Sequence, residues 1–340
     1  MMLGGSVALI VPLELLGFPA AFLLGPMIVA IAFAGGGGTV RVPQPLFMVA
    51  QAVIGCMMAR ALPGAIFVEL VADWPIYLLG IVSVIAVAAG LGILLTRLKV
   101  LPGTTAIWGS APGAASAMVV MADEFGADAR LVAFMTYLRV VLVAVAASVV
   151  GRLFAGSASA MPAVDWFPPV SAIPLAETFA LVVVSLIVAR LTRIPAGGIL
   201  LPMVLGVLLQ NLAGLQIELP PVLLAVCFAL IGWTIGLRFT REILLHAMRA
   251  LPAVFGSILA LMAACGGFAF LLVWLAGVDP LTAYLATSPG GADSVAIIAA
   301  NSDVDMPFVM AMQAGRLLVV LLTGPALARF IATRKWAKAM

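Results

Sequence analysis

Apolar residues run through this chain in long blocks, and polar or turn-forming residues gather in the short joins between them. In the first half the blocks lie near residues 3–16, 19–34, 45–60, 75–97, 104–121 and 130–154. In the second they lie near 176–191, 195–213, 220–238, 251–276, 281–300 and 306–332. Proline and glycine punctuate the joins, as turns between helices require. Apolar blocks of this length predict helices that cross a hydrocarbon core roughly 30 Å thick. The pattern divides the chain into a first membrane unit over 1–155, a linker over 156–175 and a second membrane unit over 176–340.

The two units are copies. SAPGAASAMVVMADEFGAD from Ser110 aligns with TSPGGADSVAIIAANSDVD from Thr287, a displacement of 177 residues. At that displacement Asp128 meets Asp305, Met135 meets Met312, Arg139 meets Arg316, and Gly55 in VIGCMMA meets Gly232 in LIGWTIG. With one gap, FPAAFLLGPMI near Pro19 matches IPAGGILLPMV near Pro195. Self-similarity over such a length means one structural unit used twice.

Composition narrows the solvent. The chain is 65% hydrophobic and 9% charged, against about 45–50% apolar and about 25% charged in soluble domains. A lipid bilayer is therefore the expected surroundings. The 17 Lys and Arg against 14 Asp and Glu do not form a nucleic-acid footprint, because the cations stand singly at block ends, where they set topology. The opening MMLGGSVALIVPLELL lacks the basic region and cleavage site of a secretory signal, so the first block is expected to be retained. Cys56, Cys227 and Cys265 lie in separate apolar blocks and read as packing residues, without CxxC spacing. His246, the lone histidine, sits among Arg241, Glu242 and Arg249 and reads as part of a solvated loop. These residues suit neither a metal centre nor a histidine triad, and no cofactor is expected.

Charge also orders the crossings. Arg190 with Arg193, then Arg238, Arg241 and Arg249, then Arg334, Lys335 and Lys338 mark three block ends that favour the cytoplasm, with Glu218 and Asp279 in the joins between. All three basic ends fall on one side only if the fifth block enters and leaves from the same face as a re-entrant hairpin. The same count places Arg41, Arg97 and Lys99 inside, with Arg60 and Arg152 dissenting. Five crossings per unit is odd, so the second copy is inverted relative to the first, an arrangement shared by many secondary transporters. The expected fold is an all-α polytopic membrane protein of two inverted-topology repeats, each of five transmembrane helices plus a re-entrant helical hairpin. A plain sixth crossing, giving parallel halves, is the alternative. Against it, SAPGAAS and SPGGADS place proline beside glycine in mid-block, which removes a backbone donor and breaks a helix. Broken backbone at membrane depth survives only under cover of protein or a water-filled cavity.

A break presents free N–H groups at the start of the following half-helix, a partial positive charge suited to an anion. Ser110, Pro112, Gly113 and Ser116 occupy one break; Ser288, Pro289, Gly290, Gly291, Asp293 and Ser294 occupy its counterpart. The alternative role for these glycines is close helix packing. Arg139 and Arg316 each lie about nine residues, roughly 13 Å, into an apolar block. Guanidinium groups are costly there and mark a substrate path, and they grip carboxylate or phosphate by two points. Gln313 shares a helical face with Arg316, and Thr136 with Arg139. The competing role is a structural pairing of each arginine with the hairpin of its own repeat, through Asp128 or Asp305, or snorkelling to the interface. Asp293 is the lone carboxylate of either break core; it reads as carrier of a coupling proton or sodium ion, or as a helix cap. Asp123 and Glu124 read as a surface turn, and the burial of Glu14 is left open.

LLGPM, IGWTIGLRFT, APGAASAMVVMADEFGAD with AFMTYLRVV, and SPGGADS with MQAGRLLVV resemble the AbrB-duplication family of bacterial inner-membrane proteins, some of which carry an ammonia-monooxygenase label. The resemblance covers both copies and implies a multi-pass protein of the bacterial inner membrane. It supplies no substrate. At fold level the pattern is similar to elevator-type carboxylate symporters. Together these features lead to the expectation of a non-enzymatic permease for a small organic anion, working by alternating access, with a homodimer supplying a fixed scaffold. Its rivals are a membrane-embedded regulator or sensor without flux, and a membrane oxygenase, for which the residues offer no copper or iron ligands.

Overall fold

The computed structural model describes residues 2–16, 21–98, 101, 104–111, 122, 126–154, 166, 168–194, 196–248 and 250–332. All regular structure among them is helical. In the first half these are α1 (Met2–Leu15), α2 (Ala21–Gly35), α3 (Gln44–Arg60), α4 (Ala65–Ala72), α5 (Trp74–Arg97), α6 (Thr105–Ser110) and α7 (Ala129–Phe154). In the second they are α8 (Ala172–Thr192), α9 (Gly197–Ala213), α10 (Pro221–Gly236), α11 (Arg241–Ala247), α12 (Leu251–Ala276), α13 (Pro280–Thr287), α14 (Ala292–Ala300) and α15 (Met306–Ala332).

Four of the described helices are long and apolar enough to cross a membrane: α5, α7 over Ala129–Val150, α8 and α12. Shorter apolar helices, α1, α2, α9, α10 and the Met306–Val320 part of α15, accompany them. The outward faces are oily: Phe179, Val183, Val184 and Ile187 on α8 and Phe270, Leu271, Trp274 and Leu275 on α12 are all exposed. Water would penalise such faces at about 25 cal/mol per Å², whereas lipid does not, and the chain is a helical membrane protein.

Packing interleaves the two halves. One bundle joins α1, α2 and α3 to α8, α9 and α10, with α2 lying along α10 and α3 along α9. The other joins α5, α6 and α7 to α12, α13, α14 and α15. Within the first bundle the approaches are reciprocal. A Cβ on Gly55 of α3 would come within 2.5 Å of the Ile199 carbonyl oxygen of α9, and one on Gly232 of α10 would come within 2.5 Å of the Leu23 carbonyl oxygen of α2. Only glycine admits backbone so near, the small-residue packing of helices in lipid. Contact between the bundles runs through α14 on α3 and through α11 on α7 and α2.

Most predicted blocks became helices with ends within a few residues of those expected, but three features differ. The short helices α4 and α11 occupy stretches read as joins; they end or begin the connection from one bundle to the other. His246 accordingly belongs to α11, not to a loop; the Thr240 hydroxyl starts that helix by accepting the Ile243 N–H at 3.4 Å. Helix α8 opens at Ala172, inside the expected linker, since Ser171 is extended and Pro174 falls in the first turn, where proline is tolerated. Glu14 is exposed on α1.

Candidate functional site

The fifth block of the second half is broken, as its sequence requires. Helix α13 starts under Asp279, whose Oδ2 accepts the Thr282 N–H at 2.9 Å, and ends at Thr287. Ser288 (φ −57°, ψ 136°) and Gly291 (φ −73°, ψ 142°) are extended, and the chain resumes as α14. Ser288, Pro289, Gly290 and Gly291 are all buried. Helix α14 opens with no side-chain cap. In the first half α6 runs to Ser110 and Ala111 turns out with φ −59° and ψ 123°, the conformation of its counterpart Ser288. Pro112, Gly113, Ser116, Asp123 and Glu124, together with the side chain of Asp293, lie outside the described residues.

Helices α6 and α13 are tethered the same way. The Thr105 hydroxyl accepts the Asp128 N–H at 3.1 Å, and the Thr282 hydroxyl accepts the Asp305 N–H at 3.1 Å. The two aspartates start the long helices that follow. Asp128 Oδ1 accepts the N–H groups of Arg130 and Leu131 at 3.0 and 3.1 Å, and Asp305 Oδ1 accepts the Phe308 N–H at 3.0 Å.

Arg139 and Arg316 are 1% and 3% exposed, so they lie in the protein interior and do not snorkel. Each bonds, through carbonyl groups, to the end of the preceding short helix of its own half, α6 or α13. Arg139 Nη1 donates to the Ser110 and Gly109 carbonyls at 2.9 and 3.3 Å, and Nη2 to the Ala111 carbonyl at 2.9 Å. Arg316 Nη1 donates to the Ser288 carbonyl, and Nη2 to the Gly290 carbonyl at 2.9 Å and to Gln313 Oε1. These carbonyls end α6 and α13, where a helix has orphan acceptors and a partial negative charge. The cations therefore hold the ends of α6 and α13.

The halves then diverge. Gln313 Nε2 donates to the Leu285 carbonyl at 2.7 Å, adding a second side chain to the tie on α13. Thr136, its counterpart, turns back to the Val132 carbonyl of its own helix at 2.7 Å. Ser110 and Ser288 likewise spend their hydroxyls on Ala106 and Leu285 carbonyls. Ser294 is buried on α14.

Arg139, Arg316 and Cys265 of α12 are all buried within the second bundle. Gly290 sits against Val143 of α7, one turn beyond Arg139. So the break at Ser288–Gly291 meets the first arginine's helix, and residues from opposite halves of the chain share one interior. The described partners of both guanidinium groups are carbonyl oxygens, which carry no formal charge. The Nε–H of each is buried and has no acceptor among the described residues. Sequence reasoning missed Cys265, whose aligned partner is Ala88 and which bears no motif. It also missed Thr287, fully buried, whose hydroxyl donates to the Ala283 carbonyl at 2.9 Å and the Cys265 carbonyl at 3.2 Å. The signal for Thr287 was available, since it aligns with Ser110 and keeps the hydroxyl.

Relatives match this chain over most of its length. "Putative regulator AbrB" of Escherichia coli (strain K12) is 51% identical over 317 residues, which cover 93% of this chain and 91% of that protein. "Uncharacterized protein YhjN" of Bacillus subtilis (strain 168) is 24% identical over 350 residues, covering 94% and 89%. The family model described as transition state regulatory protein AbrB matches residues 22–332. That span takes in both proline-glycine segments and both arginines, and with it the chain belongs to the AbrB family.

Proposed function

We propose that this protein is a secondary transporter for a small organic anion of the carboxylate type, carrying flux and performing no catalysis. The observation that carries the reading is the pair of buried guanidinium groups whose described partners are uncharged. A buried cation without a counter-charge is expensive, and an anion entering between the hairpins offsets that cost. The start of α14 at Gly291 is buried, and a helix start carries partial positive charge. In this reading the halves are inverted repeats, the hairpins re-enter the membrane, and Pro112, Gly113, Ser116 and Asp293 join the site, Asp293 with a coupling proton or sodium ion. The reciprocal Gly55 and Gly232 contacts and the paired threonine tethers support two copies of one unit. The bundle holding both hairpins moves against the other, which forms a homodimer in the bacterial inner membrane.

Uptake of labelled small carboxylates into proteoliposomes tests this directly. Arg316→Ala is expected to abolish uptake; flux unchanged by that substitution removes the site. A regulatory role is the second reading, because the Escherichia coli relative is named for regulation and not for transport. Such a protein binds a ligand and is stabilised by it, yet accumulates nothing inside the vesicle.

A further inference from the structure

Resting on the reading of two inverted halves that alternate, we infer that Phe134 and Tyr137 of α7 form a latch with Arg238 and Phe239, holding the bundles in the arrangement seen here before any ligand binds. Arg238 and Phe239 lie in the turn from α10 to α11, just after Gly236, which packs against the Met27 carbonyl of α2. The turn is thus fixed to the first bundle. It reaches across to the second: the Phe239 and Phe134 rings stand edge to face, 6.2 Å apart at 71°, and the Arg238 guanidinium lies 5.7 Å from the centre of the Tyr137 ring. Both geometries attract beyond simple burial. Phe134 and Tyr137, three apart, share one face of α7, and Arg139 lies about 200° round the helix from Tyr137. The helix that holds the end of α6 is therefore the one latched to the first bundle.

The second copy lacks the residues for such a contact. At the displacement of 177, Phe134 and Tyr137 meet Ala311 and Ala314 of α15, and Arg238 and Phe239 meet Ala61 and Leu62, which precede α4. Helix α4 also packs on α15, but these four side chains supply neither a ring nor a cation. Rocking one bundle against the other carries α7 past the first turn and α15 past its counterpart. A contact that only one copy can make leaves the two arrangements unequal in energy, and so unequally populated.

The experiment reads the arrangement itself. Spin labels go on Leu98→Cys just past α5 and on Leu212→Cys of α9, exposed positions in the two bundles, in full-length protein whose native Cys56, Cys227 and Cys265 are buried. Pulsed electron spin resonance in proteoliposomes gives the distance distribution without substrate. Phe134→Ala, Tyr137→Ala and Phe239→Leu copy the second half, and each is expected to raise the minor distance population about three- to tenfold, the range one ring contact supports. Arg238→Gln, at an exposed position, is expected to raise it about twofold and keeps the test open where a ring variant does not fold. Distributions that none of the four variants changes, with only the unfolding temperature lowered, overturn the latch, because the rings then serve packing alone. Uptake of labelled acetate and succinate by the same vesicles separates the two readings. Redistribution without uptake supports the latch and removes transport; uptake with an unchanged distribution does the reverse.

Discussion

Gly55 of α3 lies against the Ile199 carbonyl of α9 so closely that a methyl group there would come within 2.5 Å of the oxygen, and Gly232 of α10 stands in the same relation to Leu23 of α2. The obstacle at each is backbone, which cannot swing aside as a side-chain tip can. Gly55→Ala and Gly232→Ala are each expected to destabilise the protein by about 1–3 kcal/mol, the usual cost of overpacking. Gly266→Ala on α12, where nothing lies within 4 Å, is expected to be neutral or slightly stabilising. Thermal unfolding in detergent measures all three.

The threonine tethers make a second matched pair. Thr282→Val removes the acceptor for the Asp305 N–H, and Thr105→Val removes that for Asp128. These bonds are part-buried, so the loss of each is expected to cost about 1 kcal/mol. The loss falls at the start of α15 or α7 respectively. Hydrogen exchange is expected to speed up locally at 305–309 in one variant and at 128–132 in the other, without loss of the distant bundle.

Gln313 and Thr136 are aligned but unequal. Gln313→Ala takes away one of two side-chain donors to the Leu285 carbonyl and the Oε1 that holds Arg316 Nη2, so it leaves a buried guanidinium N–H without its partner. Thr136→Val deletes only a bond to a carbonyl within its own helix. The first is expected to cost about 2 kcal/mol or more and the second under about 1 kcal/mol. Exchange at 288–291 is expected to rise in Gln313→Ala alone, and equal effects would show that the two breaks are braced alike.

Helix ends were legible in the sequence because they follow the hydrophobic blocks, and the break at Ser288–Gly291 was legible because proline and two glycines leave few alternatives. Helices α4 and α11 were not. Each is eight residues or fewer, too short to hold a helix by its own propensity, so only packing against neighbouring helices fixes it. The interleaving of halves was hidden for a related reason: a repeat tells that two units are alike, not which helix lies against which. At the site, spacing put Arg139 and Arg316 deep in apolar blocks, but it left open whether they face a carboxylate, the membrane surface or the breaks. Their carbonyl partners are set by where α6 and α13 stop, a tertiary fact. Cys265 aligns with an alanine and had no sequence signal at all.

Arginine at position 139 reaches three successive carbonyls with two nitrogens. Lysine keeps the charge but gathers its donors at one point on a flexible stem. Arg139→Lys is expected to leave at least one of the Gly109, Ser110 and Ala111 carbonyls unsatisfied, lowering stability by about 1–3 kcal/mol. If charge alone mattered, unfolding of this variant would match wild type.

Gly290 offers the sharpest link between the break and α7. A Cβ there would meet Val143 Cγ1 and Val295 Cγ2, both at 3.0 Å, side-chain atoms that yield by a few tenths of an ångström. Gly290→Ala is therefore expected to fold with a loss of about 1 kcal/mol or less, while pushing the break away from α7 and weakening uptake. Val143→Ala opens that space. If the tip works by its fit against α7, the double variant recovers uptake towards that of Val143→Ala alone, a coupling of about 0.5 kcal/mol or more in a double-mutant cycle. Strictly additive losses would mean that the hairpin tip and α7 act independently.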